Sequence, residues 1–81
     1  MNTQDARAAV TAAFAEVAPD IAPDDLIERA RLRQDLEIDS LDFLRLIELV
    51  AESTGVDTPE DDYRQLDTVG GFIGYVASHG R

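Results

Sequence analysis

Residues 35–47 read DLEIDSLDFLRLI, and this stretch carries the most specific signal in the chain. Acidic residues surround one serine, Ser40, and a dense apolar run begins directly after it. Serine is a common N-cap, but Asp39 can cap a helix as well or better, with Asp42 three positions on. If Asp39 is the cap, Ser40 is the first helical residue and its hydroxyl is free. The stretch predicts a helix from about Ser40 to Ser53 that ends near Gly55.

The predicted helix after Ser40 has two faces when wound at about 100° per residue. The predicted core side holds Phe43, Leu44, Ile47, Val50 and Ala51, with Leu46 at its border. The predicted outer side holds Asp42, Arg45, Glu48 and Glu52. Leu41 and Leu49 fall among these charges. They are either incidentally exposed or part of a docking surface with apolar points and an acidic surround.

Three further helices are predicted along the chain. The first runs from about Thr3, a plausible N-cap, to Ala18, and Pro19 ends it. A short one follows Thr58, where TPED supplies a cap and a proline at the first helical position. The last runs from about Thr68 to Ser78 and contains three glycines, which weaken it by up to about 1 kcal/mol each. The predicted apolar stripes are Ala6, Val10, Ala13, Phe14 and Val17 in the first helix, and Val69, Phe72, Ile73 and Val76 in the last.

The connection from Pro19 to Asp39 is long for a small domain, and such loops are usually functional or disordered. Its scattered apolar side chains argue for a loop pinned over the core: Ile21, Leu26, Ile27, Leu32, Leu36 and Ile38. The segment PDDLIERA predicts a short helical turn. The predicted fold class is all-α. We expect residues 1–81 to form one domain, a small four-helix bundle of three longer helices and one short helix, with a long loop between helices 1 and 2.

The charge of the chain limits its partners. Seventeen acidic residues face seven basic ones, all arginine, for a net charge of −10. Such a chain repels a phosphate backbone, so nucleic-acid binding is not expected, whereas a partner with a basic surface is attracted. The chain has no cysteine, no apolar run of membrane-spanning length and no signal-peptide pattern. We therefore expect a cytoplasmic monomer without membrane insertion.

Catalysis and metal binding at Ser40 both lack support in the sequence. A nucleophilic serine needs a base and an oxyanion site, and the only histidine, His79, lies in the C-terminal tail. There is no GxSxG motif. DLEIDS begins like a calcium loop, but its sixth position is Ser40 instead of glycine and its twelfth is Leu46 instead of glutamate. We predict no catalytic residue and no metal ligand.

The chain resembles the acyl carrier proteins, in particular the free-standing bacterial type. The resemblance rests on DLEIDSLD at residues 35–42, the apolar helix after it, TPED at the third helix and LDTVGGFIGYV at the fourth. These motifs follow the family's order and spacing over nearly the whole chain. The family's D-S-L serine carries 4′-phosphopantetheine, so the resemblance implies that Ser40 is the attachment residue.

The resemblance also implies partners and a role. A phosphopantetheinyl transferase would move the group from coenzyme A to Ser40, and its thiol would carry acyl intermediates as thioesters. Acyl-loading and acyl-processing enzymes with basic docking surfaces would then bind around Ser40. The predicted docking residues are Asp39, Leu41, Asp42, Glu48 and Leu49.

Two positions depart from the family pattern. Glu37 stands where the family often has glycine, and Arg45 stands where it usually has an acidic residue. Both weaken the assignment to general fatty acid synthesis. A dedicated carrier for a polyketide, another lipid or a secondary metabolite fits at least as well, whereas a peptidyl carrier fits less well. The alternative from another class is a small acidic helical interaction module without a prosthetic group.

Overall fold

The structure is a computed structural model and describes residues 1–80. It contains three α-helices: α1 (Thr3–Val17), α2 (Ser40–Thr54) and α3 (Val69–His79). Two 3₁₀ segments lie between them, at Pro23–Asp25 and Glu60–Leu66. Residues 1–80 contain no strand, and the prediction of an all-α fold is confirmed. The predicted turn in PDDLIERA is the first 3₁₀ segment, and the predicted short third helix is the second.

Side-chain caps fix where the α-helices begin. Thr68 caps α3, with its hydroxyl accepting from the Gly71 N–H at 2.9 Å. The prediction for α1 was wrong by one residue, since Asn2 accepts from the Asp5 N–H at 2.7 Å and Thr3 is already helical. Thr58 was also wrongly predicted as a cap: Pro59 precedes the second 3₁₀ segment, which has no side-chain cap.

One core joins the helices and both loops. Its α1 and α3 contributions are the predicted stripes with two differences: Val17 is half-buried, and Tyr75, which was not predicted, is buried. In the long loop Leu32 and Ile38 are buried and Ile21, Leu26 and Leu36 pack partly against the core, whereas Ile27 is 47% exposed. The loop is pinned as predicted, except at Ile27, which follows the first 3₁₀ segment at the surface.

Backbone hydrogen bonds hold the long loop against the start of α3. The Leu32 N–H donates to Asp67 O at 3.0 Å, and the Gly70 N–H donates to Glu28 O at 2.8 Å. A Cβ at residue 70 would lie only 3.0 Å from both the Cβ and the carbonyl oxygen of Glu28. Gly70 therefore costs helix propensity but allows the loop and α3 to approach each other closely.

The buried face of α2 is turned relative to the prediction. Leu46, placed at the border, is fully buried, and Phe43 and Val50 are buried on the same face. Leu44, placed in the core, is 42% exposed. At 100° per residue the buried face is rotated by roughly 60° from the predicted one. The rotation brings Leu49 against α1, where it lines a groove with Ala9 and Ala13.

No helix among the described residues is both long and apolar enough to cross a membrane.

Candidate functional site

The start of α2 presents Ser40 as the sequence predicts. Asp39 has an extended backbone, and its Oδ1 accepts from the Asp42 N–H at 2.8 Å. The Asp39 carbonyl also accepts the first helical hydrogen bond, from the Phe43 N–H at 2.9 Å. Asp39 is thus the N-cap, which leaves Ser40 as the first residue of the helix.

The Ser40 side chain is exposed, and its hydroxyl has no hydrogen-bond partner within residues 1–80. Because a helix leaves its first N–H groups without intrahelical partners, this end of α2 carries partial positive charge. A phosphoester on Ser40 would be favoured there by the helix and opposed by the carboxylates of Asp39 and Asp42. The site therefore fits a covalently attached phosphate group better than a freely bound anion.

A strained residue leads the chain into the site. Glu37 has a φ of 56°, in the left-handed region that non-glycine residues rarely adopt. The next residue, Ile38, is buried, and its N–H donates to Leu32 O at 2.9 Å. The turn at Glu37 thus anchors Ile38 in the core immediately before Asp39. It also gives a physical reason for glycine at this position.

An ion pair orders the loop upstream of Glu37. The Arg31 guanidinium lies 3.3 Å from Asp35 Oδ1, and the Arg31 N–H donates to Asp35 Oδ2 at 2.9 Å. These hydrogen bonds, the side-chain one first, hold the pKa of Asp35 below its usual value, and the same pairing raises the pKa of Arg31. Asp35, the first residue of the DLEIDS motif, therefore orders the loop that leads to Ser40.

The predicted docking residues do not form one surface. Leu41 is 78% exposed, and Asp39 and Glu48 are also exposed. Asp42 is half-buried and lines a cleft between the long loop and the end of α1. Leu49 packs partly against the core, because the rotation of α2 turns it towards α1. The same rotation exposes Leu44 beside Leu41, so the outer face of α2 consists of Leu41, Leu44, Arg45, Glu48 and Glu52.

Two clefts flank the start of α2. The larger, of about 1020 Å³, lies between the end of α1 and the long loop and reaches α2 at Asp42. The smaller, of about 210 Å³, lies between the loop, α2 and the second 3₁₀ segment. At 100° per residue Phe43, which lines the smaller cleft, is about 60° from Ser40, whereas Asp42 is about 160° away. Ser40 is thus on the side of α2 that faces the smaller cleft.

The smaller cleft, here called the arginine cleft, is lined by Leu32, Arg33, Phe43, Tyr63, Arg64, Leu66 and Asp67. The Phe43 and Tyr63 rings meet edge to face, with centroids 5.4 Å apart. The Arg33 Cζ lies 5.9 Å from the Phe43 ring centroid, within cation–π range. The cleft is not visible in the sequence, because its residues come from three separate segments and share no motif.

The end of α3 is a separate cluster. His79 Nδ1 is 2.9 Å from Tyr75 O, and its ring stacks on Tyr75 at 4.0 Å. The Tyr75 hydroxyl donates to Asp62 Oδ2 at 2.7 Å, which ties α3 to the second 3₁₀ segment. That hydrogen bond, with burial second, raises the pKa of Tyr75. His79, which the sequence placed in the C-terminal tail, is instead the last residue of α3, and its exposed ring packs on Tyr75.

Groups of three or more acidic or histidine side chains that could hold a metal ion are absent from residues 1–80.

Comparison with known proteins identifies relatives over most of the chain. A family model described as a phosphopantetheine attachment site matches residues 8–76. An acyl carrier protein of Zymomonas mobilis is 34% identical over 59 residues, which is 73% of this chain and 76% of the relative. An acyl carrier protein of Chlamydia trachomatis is 37% identical over 59 residues, 73% of this chain and 77% of the relative. One from Lactobacillus johnsonii is 34% identical over 56 residues, covering 69% and 70%.

Proposed function

The chain belongs to the phosphopantetheine attachment-site family, and we propose that it is an acyl carrier protein. We propose that its 4′-phosphopantetheine is attached to Ser40. When bound, this group supplies a flexible arm with a terminal thiol that holds acyl groups as thioesters. The chain itself has no cysteine, so it has no thiol of its own for this purpose. The role of the protein is to hold the arm and present it to enzymes.

The proposal rests on the different roles of Asp39, which caps the helix, and Ser40, whose hydroxyl is free within residues 1–80. Asp39 accepts the Asp42 N–H and satisfies the helix start, so the Ser40 hydroxyl is not needed for structure. A serine that is exposed, helix-initial and without a hydrogen-bond partner in residues 1–80 is suited to accept a group from another protein. The other two serines lie at helix ends. The Ser53 hydroxyl donates to Val50 O at 3.3 Å in the last turn of α2, and Ser78 lies near the end of α3.

Loading is a phosphoryl transfer in which Ser40 is the nucleophile. Its oxygen forms a bond to the phosphorus of coenzyme A that bears pantetheine. The bond from that phosphorus to the bridging oxygen of the diphosphate breaks, and adenosine 3′,5′-bisphosphate leaves. The hydroxyl proton passes to a base. Within residues 1–80 no base is hydrogen-bonded to Ser40, so we assign that base to the transferase and a non-catalytic role to this chain.

Partner binding is proposed to use the outer face of α2 next to Ser40. Leu41 and Leu44 give it an apolar centre, and Glu48 and Asp39 add negative charge at its margins. With a net charge of −10, the chain would steer enzymes with basic surfaces towards this face. The transferase and the acyl-processing enzymes are the partners this predicts.

Arg45 makes the outer face selective. It lies on the same side of α2 as Glu48 and makes no ion pair within the described part of the chain. An enzyme surface that carries only basic residues would meet a like charge at this point. The position therefore favours a dedicated carrier, for one polyketide, lipid or secondary-metabolite pathway, at least as much as the general carrier of fatty acid synthesis.

The attachment is tested by intact-mass measurement after incubation with coenzyme A and a broad-specificity phosphopantetheinyl transferase. We expect wild type to gain one phosphopantetheine and Ser40→Ala to gain none. Ser53→Ala is the matched control and should be modified like wild type. Modification that persists in Ser40→Ala would place the group elsewhere. An unmodified wild type, folded by circular dichroism, would instead support an interaction module without a prosthetic group.

The docking face is tested by steady-state kinetics of the same loading reaction, with a transferase from general fatty acid synthesis, at two ionic strengths. Arg45→Glu should speed association, and the gain should fade at high salt because it is electrostatic. Leu41→Ala should slow the reaction with little salt dependence, since its contact is apolar. Wild-type kinetics in both variants would move docking to another face.

A further inference from the structure

The arginines of this acidic chain differ in whether they form ion pairs. Arg7 pairs with Glu28 at 2.9 Å and Arg31 with Asp35 at 3.3 Å. Arg33 and Arg64 instead line the arginine cleft, and neither forms an ion pair with another residue of the 1–80 range. A protein with a net charge of −10 repels anions over most of its surface. The arginine cleft is a local exception, because its two arginines face one carboxylate, whereas the two arginines of the larger cleft face five.

One of the two cations of the cleft, Arg33, has a defined contact with its wall. Arg33 lies over the Phe43 ring at 5.9 Å, and Phe43 is fixed in turn by its edge-to-face contact with Tyr63. The planar guanidinium of Arg33 can bind a carboxylate in a bidentate manner. The one acidic residue of the cleft, Asp67, is also near Arg31, whose pKa it helps to raise. The cleft therefore keeps an excess of positive charge.

The cleft is also on the correct side of α2 to receive an arm from Ser40. Phe43 follows Ser40 by three residues, which is a rise of about 4.5 Å along the helix. Ser40 and Phe43 are neighbours on the helix surface, as residues three apart are. An arm attached to Ser40 can thus fold back along α2 and place its end in the cleft without crossing the outer face, where partners are proposed to bind.

The size of the cleft limits what can enter it. Its volume of about 210 Å³ equals that of about seven liquid waters. A short acyl group with a terminal charged group fits this space. The buried floor of Leu32 and Leu66 suits a few methylene groups.

We infer that the arginine cleft binds the terminal carboxylate of a short dicarboxylic acyl group carried on Ser40, with Arg33 and Arg64 as its ligands. This inference rests on the proposed function, because it needs the arm on Ser40. It names a class of cargo, an acyl thioester of a short dicarboxylic acid. It also assigns Arg33 a role beyond its stacking on Phe43.

The test uses the full chain loaded from succinyl-coenzyme A with ¹³C at the terminal carboxyl, and reads the pKa of that carboxyl by NMR. Two arginines beside the carboxylate should lower its pKa by about one unit relative to Arg33→Gln. Arg64→Gln should likewise raise the carboxyl pKa relative to wild type. Arg29→Gln is the matched control, because it removes the same charge from an arginine that lines the other cleft. It should leave the carboxyl pKa within a few tenths of the wild-type value.

A second measurement separates the cargo from the arm. Amide shifts of Phe43 and Tyr63 are compared in protein that carries the arm alone, succinyl, or 4-methylpentanoyl, a neutral group of the same size. We expect the full shift only with succinyl. Equal shifts with all three, or equal carboxyl pKa values in Arg33→Gln and Arg29→Gln, would overturn the inference. Loading itself is checked by mass, so a failure of attachment at Ser40 is distinguished from a failure of the cleft to bind.

Discussion

Glu37 provides the sharpest quantitative test of the structure, because it stores strain three residues before Ser40, the proposed attachment residue. Its φ of 56° is left-handed, and this conformation costs an L-residue roughly 1–2 kcal/mol. Glycine avoids that cost but loses about 0.5–1 kcal/mol more conformational entropy than other residues on folding. The Glu37→Gly variant should therefore be more stable than wild type by about 0.5–1 kcal/mol. For a domain of this size, that is a rise in Tm of roughly 2–8 °C.

The charge of Glu37 must be separated from its backbone conformation. Removing one negative charge from a chain with a net charge of −10 also reduces self-repulsion and favours folding. Glu37→Gln makes the same charge change and keeps the strain, so it is the matched control. Thermal denaturation by circular dichroism at high and low salt gives both differences. The relevant quantity is the Tm of Glu37→Gly minus that of Glu37→Gln, which should be positive and independent of salt.

A Tm of Glu37→Gly at or below that of Glu37→Gln would refute the reasoning. In that case the left-handed turn is either absent in solution or costs nothing. The loading rate gives an independent readout, because Glu37 lies outside the outer face of α2. A glycine that only relieves strain should leave loading of Ser40 unchanged, provided that it does not loosen the anchor at Ile38.

Three further predictions concern stability. Asp39→Ala should cost about 1 kcal/mol through loss of the cap, whereas Ser40→Ala should cost almost nothing, and the reverse order in urea denaturation would make Ser40 the cap. Gly74→Ala should raise stability by up to about 1 kcal/mol because a Cβ there meets open space, whereas Gly71→Ala should lower it because its Cβ would lie 2.5 Å from Gln65 O; equal Tm changes would contradict this contrast. The hydrogen bonds from Arg31 lower the pKa of Asp35, so their stabilisation is complete above its unfolded pKa of about 4 and is lost as the pH falls through the folded value. The Tm difference between wild type and Asp35→Asn should therefore shrink below about pH 4, and a constant difference would argue against the ion pair.

Local patterns predicted the helices and the cap at the start of α2 well. The start of α2 at Ser40 depends on a hydrogen bond between residues three apart, Asp39 and Asp42, and such a contact is visible in the sequence. The four predicted residues of the α3 stripe are likewise buried, because the stripe follows from helical spacing, although Tyr75 is buried in addition. The assignment of Asn2 and Thr3 failed by one position, as two capping residues stand side by side.

Local patterns did not explain the glycines or Glu37. The helical pattern shows that Gly70 and Gly71 weaken α3, but not that Cβ atoms there would collide with Glu28 and Gln65. Those neighbours belong to other segments. The left-handed conformation of Glu37 is equally hidden, since it follows from the path between two buried residues, Leu32 and Ile38.

The sequence by itself determined that this protein is helical, acidic and built to display Ser40 at a helix start, because spacing, caps and charge are properties of neighbouring residues. Only the tertiary structure decided which face of α2 is buried. An amphipathic helix with leucine on several sides can turn by tens of degrees, and its rotation is set by what packs against it. That rotation exposed Leu44 and buried Leu46. Packing of distant segments also brought Arg33, Arg64 and Phe43 to one cleft, so the arginine cleft exists only in the folded chain.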